Sequence, residues 1–141
     1  MAGGDVILRH NAIRDILFRF CERARLRPQL EKVGLLDDDS IIVNLRRPAD
    51  VLTEMADSNG SEHRDIRTAI DVKVINGLGQ DHLTASMECG RRAAEVYRER
   101  QLEHLNTHAL CADRGIRYEP VVFTVQGAME KRAEAMVSRI A

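Results

Sequence analysis

From Ile66 to Ile75 the chain alternates with a period of two: Ile70, Val72 and Val74 fall on one side, and Asp71, Lys73 and Ile75 on the other. Three β-branched residues at alternate positions demand a strand with one buried face. The pattern also sets a carboxylate and an ammonium side by side on the opposite face, two residues apart. Lysine is scarce: of 21 basic residues 18 are Arg and three are Lys, at positions 32, 73 and 131. A lysine inside an apolar strand therefore stands out.

Upstream, Arg46-Arg47-Pro48 breaks the chain. Proline has no N–H and holds Arg47 extended, which suits the first position of a strand. Ala49 to Met55 reads as that strand. Asp57 to Glu62 is turn-rich, with Asn59-Gly60 at its centre, a hairpin signal. Strand, loop and strand thus bring Asp50 towards Asp71, which follows it by 21 residues.

The rest of the chain supplies covering layers. Residues 6 to 26 predict a helix, with Asp5 as N-cap, an apolar stripe of Ile13, Leu17, Phe20, Cys21 and Ala24, and Pro28 as the stop. Leu30 to Leu36 and Ile41 to Val43 can hold short strands. Asp37-Asp38-Asp39 is a solvated turn, because the central Gly and closing Glu of a calcium loop are absent. Asn76 to Gln80 lacks the Gly-Lys-Ser/Thr ending of a phosphate-binding loop. Residues 81 to 114 predict a long helix, interrupted near Asn106-Thr107 and closed by Gly115. Pro120 to Val125 is a third strand. Gly127 hinges into a last helix striped by Met129, Ala133, Met136, Val137 and Ile140. The order predicts an α/β sandwich around a small mixed sheet, one domain over residues 1–141.

Composition narrows the function classes. Hydrophobic residues are 44% and charged residues 30%, values of a globular domain with a real core. A net charge of −1 argues against a basic coat for nucleic acid. Local contacts remain open, and Arg46 and Arg47, beside Asp50, are candidates to meet phosphates. The chain has no apolar run of about 18 residues, so no membrane-spanning helix is expected. Met1 to Asp5 lacks the basic and apolar regions of a leader. Cys21, Cys89 and Cys111 are odd in number and widely spaced, as reduced thiols in an intracellular protein would be. His104 and His108 have i, i+4 spacing but no third ligand for zinc.

Two converging carboxylates, Asp50 and Asp71, repel each other unless a cation sits between them. Their oxygens, the carbonyl of Val72 and water suit Mg²⁺. An ammonium at Lys73 beside that ion can stabilise developing phosphate charge or help deprotonate an attacking water. These are the parts for metal-assisted hydrolysis of a phosphodiester.

Pro48-Ala49-Asp50 with Asp71-Val72-Lys73 resembles the Pro-Asp…(Asp/Glu)-x-Lys signature of restriction-endonuclease-like nucleases, with Ala49 set between proline and aspartate. Arg47-Pro48-Ala49-Asp50 before the hairpin, with His10-Asn11 and Arg14-Asp15 in the first helix, is similar to nuclease domains of some reverse-transcriptase-bearing mobile elements. The resemblance implies an αβββαβ core, here with an extra C-terminal helix. It implies Asp50 and Asp71 as metal ligands for Mg²⁺ or Mn²⁺, Lys73 as the catalytic lysine and DNA as substrate. A further polar residue from the first helix is expected at the site, with His10 and Glu22 as candidates. A homodimer and one domain of a longer protein are both compatible with it. Two other classes stand beside it: a nucleic-acid-binding module without turnover, and a protein-interaction domain in which Asp71 and Lys73 form a surface ion pair. All readings turn on whether Asp50, displaced by Ala49, faces Asp71.

Overall fold

The computed structural model describes residues 2–31, 49–56, 65–76 and 91–141. Helix α1 runs Ala2–Arg23, then strand β1 Gln29–Leu30, β2 Val51–Ala56 and β3 Asp65–Ile75. Helix α2 is Arg92–Glu103, followed by a 3₁₀ turn His104–Asn106, helix α3 Thr107–Asp113, strand β4 Ile116–Thr124 and helix α4 Lys131–Ile140. Arg46 and Arg47, the expected strand at 41–43, the Asn59-Gly60 turn and the start of the expected 81–114 helix lie outside the described residues.

The strands form one mixed sheet in the order β1-β2-β3-β4. β2 pairs antiparallel with β3, Val51 opposite Ile70, and β3 pairs parallel with β4, Asp71 opposite Pro120. The predicted alternation decides which side chain goes to which layer. Val51, Met55, Ile70, Val72 and Val121 pack against Leu17 and Cys21 of α1 and Ala133, Met136 and Ile140 of α4. On the other face, Leu52, Ala69, Ile116 and Tyr118 meet Cys111 of α3, and Ile75 and Val122 meet Ala93 and Ala94 of α2.

Several element boundaries depart from expectation. α1 begins at Ala2, so Asp5 is not the cap but lies in the first turn, paired with Arg9 at 3.0 Å. The helix stops at Arg23 rather than 26, because Arg25 and Arg27 take left-handed backbone, φ 58° and 48°. β4 starts at Ile116, four residues before Pro120. Proline sits inside it because β4 is a sheet edge, where a nitrogen pointing outward forfeits no ladder bond. The break near Asn106 is present: that residue is left-handed at φ 57° and separates α2 from α3. Gly115, at φ 67°, closes α3 where Cβ-bearing residues are disfavoured. Among the described residues no helix is long and apolar enough to cross a membrane.

β3 is thus interior, paired on both edges and covered on both faces. Replacing Ile70, fully buried in the α1/α4 core, by Ala is expected to lower unfolding free energy by about 2–5 kcal/mol. Ile7, 61% exposed, should tolerate Ala within about 0.5 kcal/mol. Urea denaturation of the two variants checks the contrast.

Candidate active site

Asp50 lies one residue before β2. The β2–β3 ladder ends at the Val51–Ile70 pair, and Asp50 meets β3 beside Ile70 rather than pairing with Asp71. The Asp50 N–H donates to the Ile70 carbonyl at 2.9 Å. Val72 is two residues further along β3, so its N–H and C=O leave the strand on the same edge as those of Ile70. The β2 backbone does not reach that far, and the Asp50 carboxylate takes its place: Oδ2 accepts the Val72 N–H at 2.7 Å. Ala49 packs into the α3-side core, while Asp50, at the strand end, is held from the α1 side of the sheet.

From α1, His10 Nε2 stands 3.2 Å from the same Asp50 oxygen. Facing a carboxylate, this nitrogen carries the proton and donates. Arg14, one turn further along the helix, pairs with Asp15 and with Glu31 and adds its positive charge near Asp50. Glu31 in turn donates its backbone N–H to the Asp50 carbonyl at 2.8 Å.

Asp71 is only 4% exposed. Its Oδ1 lies 3.1 Å from Lys73 Nζ, and its Oδ2 accepts the Tyr118 hydroxyl at 2.6 Å. Tyr118 belongs to β4 opposite Ala69, and its oxygen accepts a hydrogen bond from Gln101 Nε2 of α2 at 3.4 Å. Desolvation dominates the Asp71 carboxyl and, with the nearby charge of Asp50, pushes it up to about 6 against the pull of Lys73 and Tyr118. The Tyr118 hydroxyl is raised as well, first by burial and then by the Asp71 charge. Lys73, about one-third exposed, reaches from this buried pair towards solvent.

The structure brings together Asp50, Asp71, Val72, Lys73 and His10. It does not bring Glu22: that side chain is exposed, and twelve residues of helix separate it from His10, about 18 Å along the axis. Arg46 and Arg47 lie outside the described residues. Tyr118 and Gln101 are the members sequence reasoning missed, with Tyr118 taken for packing. Extending the β4 alternation back from Pro120 and Val122 places Tyr118 on their face, but its partner on β3 depends on the parallel register.

Among the described residues no three His, Cys, Asp or Glu side chains are placed to hold a metal. The donors on offer are two carboxylates and the Val72 carbonyl, which fits a hard cation that keeps much of its water. Burial, with the Asp50 charge, raises the Asp71 carboxyl, and Lys73 and Tyr118 act against it. No protein-family model matches the chain, and no curated protein matches it.

Because the Asp71 carboxyl titrates near 6 in the folded chain against 3.8 as its ordinary value, the folded state holds this proton more tightly. Its contribution to stability is complete below about pH 4 and is lost as pH rises through about 6. Asp71→Asn should remove this fall, so the difference in Tm between wild type and variant should change across that window and flatten above it. Thermal melts in metal-free buffer from pH 4 to 8 test this, and parallel curves would contradict it.

Proposed function

We propose that the chain is a divalent-metal-dependent DNA endonuclease of the restriction-endonuclease-like kind, hydrolysing phosphodiester bonds with water. One observation carries the reading. The Asp50 carboxylate accepts the N–H of Val72, the middle residue of Asp71-Val72-Lys73, at 2.7 Å. The element order supports it: a helix, an antiparallel hairpin, helices, a parallel strand and a closing helix.

Asp50 and Asp71 offer carboxylate oxygens for Mg²⁺ or Mn²⁺, and the Val72 carbonyl opens on the same edge as its N–H. When bound, such an ion supplies Lewis acidity towards the phosphoryl oxygens and makes the attacking water easier to deprotonate. Lys73 Nζ, anchored by Asp71, presents positive charge where the transition state gathers negative charge. His10 holds Asp50 from the side of α1 and fixes the orientation of its carboxylate. Tyr118 does the same for Asp71 from β4.

Incubation of supercoiled plasmid with Mg²⁺ should give nicked or linear product. Lys73→Ala and Asp71→Ala should each lower the rate by about 10²-fold or more. His10→Ala, which acts on Asp50 rather than on substrate, should cost about 10- to 100-fold. Glu22→Ala should leave the rate unchanged. Equal rates for wild type, Lys73→Ala and Asp71→Ala would sink the nuclease reading.

A second reading has one observation in its favour: both carboxylates already have hydrogen-bond partners inside the chain. On that reading the cluster is a structural network in a nucleic-acid-binding or protein-interaction domain without turnover. Metal-independent, salt-sensitive DNA binding with no cleavage favours the binding module.

A further inference from the structure

Among the described residues four other than glycine take left-handed backbone, and three of them, Arg25, Arg27 and Glu31, lie between α1 and β2. Such backbone is disfavoured wherever a Cβ is present, so the surroundings must hold it. Arg25 is accounted for by the end of α1. Its N–H reaches the Glu22 carbonyl and the Leu26 N–H reaches that of Cys21, the paired bonds of a helix cap. Glu31, at φ 47°, follows a strand instead, and both of its polar ends are committed. Its N–H donates to the Asp50 carbonyl at 2.8 Å, and its carboxylate pairs with Arg14 Nη1.

The other half of that pair is held firmly. The Arg14 side chain is only 16% exposed, against 56% for Glu31. Asp15 takes one edge of the guanidinium, with Nε and Nη2 both 2.9 Å from its Oδ1, and Nη1 is left to meet Glu31. A planar fork held on one edge presents its remaining N–H groups in a fixed direction. His10 and Arg14 are four apart on α1, about one turn, and share a side of the helix. Helix α1 therefore grips Asp50 at both ends. His10 meets the carboxylate directly, at 3.2 Å, and Arg14 reaches the main chain through Glu31. The 2.7 Å bond from the Val72 N–H to the Asp50 carboxylate depends on where that main chain sits.

We propose that Arg14 and Glu31 are positioning residues for Asp50: the pair latches the Asp50 backbone in place and so aims the carboxylate at a divalent cation. The inference rests on the reading of Asp50 as a metal ligand, and it adds two residues that touch neither ion nor substrate. Charge alone predicts the opposite sign at one of them. Arg14 adds positive charge near Asp50, and like charges repel, so on charge alone its loss tightens cation binding. A latch predicts weaker binding, because an Asp50 free to shift holds the ion less well.

Two measurements on the full chain test it: calorimetric titration with Mn²⁺, and hydrogen exchange of the Val72 amide followed by NMR in metal-free buffer. Arg14→Ala and Glu31→Ala should each weaken Mn²⁺ binding by about tenfold or more. The double variant should lose little beyond either single one, since both break the same connection. In each variant the Val72 amide should exchange about tenfold faster or more relative to that of Val121, which lies in the α1/α4 core. The Glu31 side chain is exposed, so Glu31→Ala carries the test if Arg14→Ala does not fold. Asp50→Ala separates this proposal from the reading it rests on. If wild type binds Mn²⁺, Asp50→Ala does not, and both latch variants bind as wild type does, the latch alone is overturned. Tighter binding by Arg14→Ala overturns it too, as does a relative Val72 exchange rate unchanged in both variants. No Mn²⁺ binding by wild type, or equal binding by Asp50→Ala, overturns the metal reading and the latch together.

Discussion

β3 carries a carboxylate into the interior of the sheet, and much of the surrounding architecture answers that fact. Asp71 sits on a strand paired on both edges and packed on both faces, where water cannot solvate it. An uncompensated carboxylate there costs several kcal/mol, by analogy with other buried charges. The compensation comes from two directions. Lys73 shares its face by the period of the strand, and Tyr118 reaches it from β4 because the parallel register brings that ring alongside. Burial, with the Asp50 charge, still raises the Asp71 carboxyl against both.

Asp50 answers a different need. β2 begins only at Val51, while β3 continues to Ile75, so the Val72 N–H has no β2 backbone partner. The Asp50 side chain substitutes for the missing acceptor. In doing so it becomes the meeting point of three segments: β3 through Val72 and Ile70, α1 through His10, and the segment after α1 through Glu31. The carboxylate is held at a defined place on the strand edge rather than left to rotate in solvent. Preorganisation of this kind is what a metal-binding or charge-stabilising site requires.

The opposite side of the sheet is tied by a second set of charges. Arg98 leaves α2, which packs with Ala93 and Ala94 against Ile75 and Val122, and pairs with Glu119 and Glu130 next to α4. One nearly buried guanidinium thus links both helical layers past the β4 edge. Among the described residues its Nε has no hydrogen-bond partner, so the contact with Glu130 is one of charge. The same pairing holds Glu119.

The residues that alternate or recur along the chain were legible without coordinates. The two-fold period through Ile70, Val72 and Val74 specified a strand and set Asp71 beside Lys73, because side-chain direction in a strand is a local property. The left-handed positions at Asn106 and Gly115 ended their helices for equally local reasons, and the stripe Ala133, Met136 and Ile140 marked the buried face of α4. What the sequence could not determine is which distant groups meet. Tyr118 reaches Asp71 only through the parallel register of β3 and β4, and of the two polar candidates on α1 only His10 lies where the helix passes the hairpin. Periodicity records the faces of single elements, whereas register and helix placement are decided by packing between elements, and the candidate site lies where elements meet.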